Sequence, residues 1–267
     1  MWFFLPSLVF ASPEQPPVAV FVHGMFMTPE SWDPWRKAFE ARGYETLAPA
    51  WPGREGRPAA LRADPDPALR DLTLEEVVGV YREAIDGLGD REVVLVGHSM
   101  GGLVVQLLLQ DGEVEAGVAI DSAPPKGVST TRWSFVRSNA PVLRPGKAPI
   151  EPSLRWFRYA FAHTTPDEEV ARIYDEHVVP ESRQVGRGPT TRAARIDFDA
   201  DRPPLLLIAG DEDHIIPASL VDKNARAYRR SPAVTDVEHV EGRTHWTIVG
   251  QEETMVPLVA DWLEAHR

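Results

Sequence analysis

Apolar and polar positions along this chain fall into two alternating periods. Short apolar or β-branched runs at residues 18–22, 44–48, 91–96, 116–121, 204–209 and 234–240 have the length and composition of strands. Helical spacing intervenes at about Pro29 to Arg42, Leu74 to Leu88, Met100 to Gln110 and Ala218 to Arg229, and again after the last strand. Such alternation predicts an α/β fold: a mostly parallel central sheet flanked by helices and joined by right-handed crossovers. It breaks between Lys126 and Ala200, a Pro- and Gly-containing stretch too long for a structureless loop in a compact domain. At 267 residues and 43% hydrophobic content, the chain suits one well-filled domain with an insertion rather than two independent domains.

The strand over 91–96 runs directly into Gly97-His98-Ser99-Met100-Gly101, and a helical pattern follows. A sharp strand-to-helix turn with small residues at both flanks lets the two elements approach closely and leaves the central side chain exposed at the sheet edge. Ser99 is therefore the candidate nucleophile. A serine hydroxyl is a weak nucleophile at neutral pH and needs a base, a group that orients the base, and donors for the developing oxyanion.

Of eight histidines, His245 lies in a short turn after the 234–240 strand and before the closing helix, where α/β sites assemble. His239 falls inside that strand, His214 beside the candidate acids, and His163 and His177 within the inserted region. The 204–209 strand is followed by Gly210, then Asp211, Glu212 and Asp213. In an extended loop Asp211 and Asp213 point to the same side, so alternation alone leaves both open as the acid.

These segments together resemble the α/β-hydrolase superfamily, whose catalytic residues run Ser, then Asp or Glu, then His in chain order, as Ser99, Asp213 and His245 do. The resemblance selects Asp213 over Asp211, because Gly210, Asp213 and Pro217 match the spacing around the family's acid. It assigns His23-Gly24-Met25-Phe26, after the first strand, to the oxyanion loop, with the backbone N–H groups of Met25 and Met100 as the oxyanion hole. It implies an α/β-hydrolase core over 18–125 and 201–267, with 126–200 as a helical lid. Only six strands are evident, so the family's N-terminal antiparallel pair is expected to be shortened, missing or contained within residues 1–17. Phe26 and Trp246, beside the expected chemistry, and Trp133 and Trp156 in the lid are candidate pocket residues; Trp51 could reach the mouth or serve as a buried anchor.

Composition narrows the alternatives. The absence of cysteine removes disulfides, thiolate ligands and a cysteine nucleophile. No H-E-x-x-H, paired-histidine spacing or Gly-rich nucleotide fingerprint is present, so no metal and no cofactor is implied. A net charge of −12 argues against nucleic-acid binding. The inserted region carries more Lys and Arg than Asp and Glu, giving a mildly basic cover on an acidic body. Residues 1–17 form an apolar arm without a basic start and too short to span a bilayer. It reads as an edge strand, a packed arm or a contact patch. A cytoplasmic location is favoured, secretion and membrane contact are left open, and oligomeric state is unread.

A serine at this strand-to-helix turn argues against the dehalogenases and epoxide hydrolases that the resemblance would otherwise admit, which use aspartate there. The expectation is a carboxylic ester hydrolase acting on a small-molecule ester through an acyl-serine intermediate. A thioesterase, a cofactor-free perhydrolase or haloperoxidase-like enzyme, and a non-catalytic small-ligand-binding protein of the same fold are the alternatives.

Overall fold

The computed structural model describes residues 15–267. Six strands, β1 (Val18–Val22), β2 (Glu45–Leu47), β3 (Val93–His98), β4 (Ala116–Ile120), β5 (Leu205–Gly210) and β6 (Thr235–Val240), form one sheet in the order β2-β1-β3-β4-β5-β6. Every neighbouring pair is parallel. The antiparallel pair is therefore missing from the sheet among the described residues; apart from its last three residues, the arm expected over 1–17 lies outside them. Strands β1, β3, β4 and β5 are buried along their whole length. That explains their uniformly apolar sequences, since helices cover both faces of a parallel sheet.

The helices are α1 (Asp33–Glu40), α2 (Pro58–Ala63), α3 (Leu74–Asp86), α4 (Met100–Leu108), α5 (Trp133–Leu143), α6 (Leu154–Phe161), α7 (Asp167–His177), α8 (Arg183–Arg187), α9 (Ala218–Ala227) and α10 (Glu252–His266). α1 packs with α10 and α3 with α4. α3 starts at a capping box: Glu76 N–H donates to the Thr73 hydroxyl while the Glu76 carboxylate accepts the Thr73 N–H. The stretch between β4 and β5 contains helices α5 to α8, joined by a short antiparallel bridge between Ile150 and Glu181. Among the described residues no helix is long and apolar enough to cross a membrane.

β3 runs two residues further than its apolar run suggests, because Gly97 and His98 still pair with Ala119 and Ile120 of β4. Strand order also fixes where the chemistry can gather. The chain leaves β1 towards β2 on one side and resumes at β3 on the other, so the loops after β1 and β3 flank a crevice at the carboxyl edge.

Candidate active site

Ser99 sits at the β3–α4 turn with φ 58° and ψ −120°, a conformation that residues with a Cβ rarely adopt. The flanking glycines make the turn fit. A Cβ on Gly97 would lie 2.3 Å from the Gly101 carbonyl oxygen, and one on Gly101 would lie 2.1 Å from that of Val22. Neither contact is sterically allowed, so β1, β3 and α4 can meet here only through glycine.

His245, in the β6–α10 loop, brings Nε2 to 2.9 Å from Ser99 Oγ, and its Nδ1 lies 2.5 Å from Asp213 Oδ2. An ionised carboxylate only accepts, so Nδ1 carries the proton and Nε2 is left to accept from the serine hydroxyl. All three side chains are buried. Asp213 is held from its other oxygen, where Oδ1 accepts the N–H groups of Ile215 at 2.6 Å and Ile216 at 2.9 Å. Asp211, the other acid left open by alternation, is a surface residue paired at 3.0 Å with His239. The ring of Phe161 meets His245 edge-on at 4.9 Å, and the Phe161 carbonyl accepts the Trp246 N–H at 2.9 Å, so α6 braces the histidine loop.

The loop after β1 is the second wall. The N–H groups of Met25 and Met100 donate to no protein acceptor among the described residues. Phe26 has φ 66° and is pinned from the stretch between β4 and β5: its N–H donates to Glu181 Oε2 at 3.2 Å and its carbonyl accepts the Val179 N–H at 3.0 Å. Glu181 in turn forms a fully buried ion pair with Arg54 at 2.5 Å. Beneath, His23 donates from Nδ1 to the Gly24 carbonyl and stacks on Trp51, whose indole N–H donates to Tyr81. Burial drives the His23 pKa down to about 3, so the ring is neutral. Trp51 is thus a buried anchor and does not reach the mouth.

A cavity of about 200 Å³ opens beside Ser99. Met25, Phe26 and Met100 line it next to the serine, Phe135 and Val142 from α5, and Trp156 from α6. Two of the expected pocket residues are elsewhere. Trp133 is 72% exposed at the start of α5, since the helix turns Phe135, Ser138 and Val142 towards the cavity and Trp133 away from it. Trp246 follows His245 in a tight turn, where consecutive side chains diverge. It packs on His177 at 5.0 Å and borders a small cleft with Trp32 and Val249.

Sequence reading missed three buried ionisable side chains around the site: Arg54, Glu181 and Asp121. Asp121 directly follows β4, and its Oδ1 accepts the Gly210 N–H at 2.8 Å. Its position had a signal, a carboxylate at the carboxyl end of an apolar strand; the Arg54–Glu181 pair had none. One atom each of His98, Asp121 and His245 lie within 4.8 Å of one another, a spacing that metal ligands can have. Both ring nitrogens of His245 are already engaged by Ser99 and Asp213, so this histidine has no free lone pair for a metal.

Residues 19–260 match the alpha/beta hydrolase family, and the chain belongs to that family. No curated protein is a significant match. Among solved structures, tomato methylketone synthase I complexed with 2-tridecanone is similar with a TM-score of 0.70 at 15% identity, over 94% of this chain and 99% of that one. The monoacylglycerol lipase of Paleococcus ferrophilus gives 0.67 at 19% identity over 97% of each chain. Polyneuridine aldehyde esterase gives 0.67 at 16% identity, over 93% of this chain and 99% of that one. At these identities the likeness is one of fold.

Proposed function

We propose that this protein is a serine hydrolase that cleaves carboxylic esters through an acyl-serine intermediate. The observation that carries the reading is the unbroken hydrogen-bonded series from Ser99 Oγ through His245 to Asp213, opening on an apolar cavity. In this reading Ser99 Oγ attacks the ester carbonyl carbon while His245 Nε2 takes its proton. The negative charge that develops on the carbonyl oxygen is met by the N–H groups of Met25 and Met100; losing one such donor costs about 3 kcal/mol of transition-state stabilisation in comparable sites. Collapse breaks the bond to the alcohol, which leaves with the proton from His245. Water then repeats the sequence on the acyl-serine and releases the acid.

Substrate size follows from the cavity. About 200 Å³ lies below the ~300–1,000 Å³ of sites for drug-sized ligands, so a short or medium apolar acyl group fits and a long chain would have to protrude. Helices α5 and α6 supply part of the wall, which supports assigning the inserted region as a lid. Names among the structural neighbours, a lipase and an esterase included, agree with ester chemistry.

The test is fluorophosphonate labelling of wild type and Ser99→Ala beside hydrolysis of an acyl-ester series, with matched thioesters. Labelling and turnover are expected in wild type, absent in the variant, with a maximum at short to medium acyl length and preference for the oxygen ester. Turnover that survives Ser99→Ala would overturn the mechanism; faster thioester cleavage would make it a thioesterase. Absence of both labelling and turnover, with ligand-dependent stabilisation retained in Ser99→Ala, would favour the binding-protein alternative.

A further inference from the structure

Behind the triad lies a second carboxyl group that the mechanism above does not use. Asp121 is fully buried and its backbone has φ 41°. Its Oδ1 is satisfied by the Gly210 N–H, but among the described residues no donor reaches Oδ2. Another acceptor, the carboxyl of Asp213 in the β5–α9 loop, lies beside it: a carboxylate oxygen of Asp121 is within 4.8 Å of a ring nitrogen of His245, whose Nδ1 is 2.5 Å from Asp213 Oδ2. Two carboxylates cannot hydrogen-bond to each other unless one carries a proton, and a buried acceptor left facing a like charge is costly. The proton's place follows from counting donors. Three N–H groups converge on Asp213, from Ile215, Ile216 and His245, against one on Asp121.

We propose that Asp121 is held as a neutral carboxylic acid whose Oδ2–H donates to the Asp213 carboxylate, making Asp121 a positioning residue for the Asp213–His245 pair. The inference rests on the serine-hydrolase reading for its kinetic consequence, though not for the proton itself. Burial first, then the neighbouring Asp213 charge, pushes the Asp121 carboxyl well above the usual carboxylate range, with Asp211 adding in the same direction. The other titratable groups facing this point are His98 from the end of β3 and His245 from the β6–α10 loop. Burial and then the nearby His245 hold His98 well below the usual histidine range, so it brings no positive charge to pull the proton from Asp121. The extra donor gives Asp213 a fixed fourth hydrogen bond and tempers its negative charge toward His245.

Two measurements test this. Infrared spectroscopy of wild type at pH 7 is expected to show the carbonyl band of a buried protonated carboxyl group, lost in Asp121→Asn; absence of that band overturns the proposal whether or not the enzyme turns over esters. Kinetics then separate positioning from packing. Asp121→Asn keeps an N–H donor at the same place and is expected to retain kcat/KM within about threefold, with the wild-type pH profile. Asp121→Ala removes the donor and is expected to lower kcat at least about tenfold with little change in KM, and to move the acid limb of the kcat/KM profile to higher pH. Equal losses in both variants, or an unmoved profile in Asp121→Ala, would overturn the positioning role. If Asp121→Ala does not fold, the infrared band and the Asp121→Asn profile decide. Failure of the triad reading would show separately, as turnover that persists in Ser99→Ala.

Discussion

Glu181→Gln isolates the charge of the buried Arg54–Glu181 pair while changing the side-chain shape little. Both partners are fully buried, at 2.5 Å, and among the described residues the guanidinium keeps only the Pro180 carbonyl as a further acceptor. Neutralising Glu181 strands a positive charge in the interior. The cost of breaking such a pair is about 3–5 kcal/mol, which for a domain of this size lowers Tm by roughly 6–20 °C. A further loss arises because the carboxylate accepts two backbone N–H groups, from Phe26 and Ser182, whereas one Gln oxygen serves only one of them well. Arg54→Met combined with Glu181→Gln removes the stranded charge and leaves one orphaned N–H and the Pro180 carbonyl without its donor, about 1–3 kcal/mol each. The double variant is therefore expected to be more stable than Glu181→Gln alone. Urea unfolding of the four proteins in a double-mutant cycle measures it. A double variant less stable than the single, with additive losses, would refute the reasoning and mean that the pair is not electrostatically isolated. Activity on a soluble ester should fall further than stability predicts in both variants, because Phe26 loses part of its tether in the loop beside Ser99.

Gly101→Ala is expected to abolish soluble expression or activity, since its Cβ would overlap the Val22 carbonyl at 2.1 Å; circular dichroism and labelling together check this. His23 is neutral in the fold, its pKa near 3 against about 6.5 unfolded, so the unfolded state binds the extra proton between those values and stability falls as pH falls through that window. The slope is about 1.4 kcal/mol per pH unit per such histidine, and urea unfolding of His23→Gln from pH 7 to 4.5 should show a correspondingly flatter profile than wild type. At the surface the sign reverses. Hydrogen bonds from His239 first to Asp211 and then to Asp222 raise its pKa, so its contribution is fully present below the unfolded value and is lost as pH rises through the folded one. The Tm gap between wild type and His239→Gln should be widest near pH 5.5 and close by pH 9; a gap that does not narrow would refute the assignment.

The parts of this structure legible in sequence are those decided within a few residues. Strands β1, β3, β4 and β5 are apolar because both of their faces are covered, and Gly97 and Gly101 frame Ser99 because no Cβ fits there. Asp213 could not be chosen from Asp211 by alternation because the loop is not extended: Asp213 folds it into a turn by accepting the N–H groups of Ile215 and Ile216. Trp246 was assigned to the pocket from adjacency to His245, but neighbouring residues in a turn face apart. Trp133 is a pocket candidate only by its place in the expected lid, and place in the chain carries no helix rotation. The tether between Phe26 and Glu181 spans 155 positions and leaves no local pattern at either end.

Backbone strain ties these observations together. Phe26, Ser99 and Asp121 are the non-glycine residues with positive φ among the described residues. They follow β1, β3 and β4, three consecutive strands of the sheet, at its carboxyl edge. A left-handed residue with a side chain costs about 1–2 kcal/mol, and such strain persists only where surrounding contacts over-determine it. Those contacts are identifiable. The Ser99 N–H is held by the Ile120 carbonyl, the Asp121 N–H by Ile208, and the Phe26 peptide by Val179 and Glu181. Aspartate tolerates this conformation better than most residues, serine and phenylalanine less. Glycine would relieve all three turns and remove the hydroxyl, the carboxyl and the aromatic wall of the cavity in doing so. The sheet edge therefore stores its strain at positions whose side chains gather at the candidate site, Phe26 and Ser99 on the cavity and Asp121 behind it, and the hydrogen bonds from neighbouring strands and from the stretch between β4 and β5 are what hold it there.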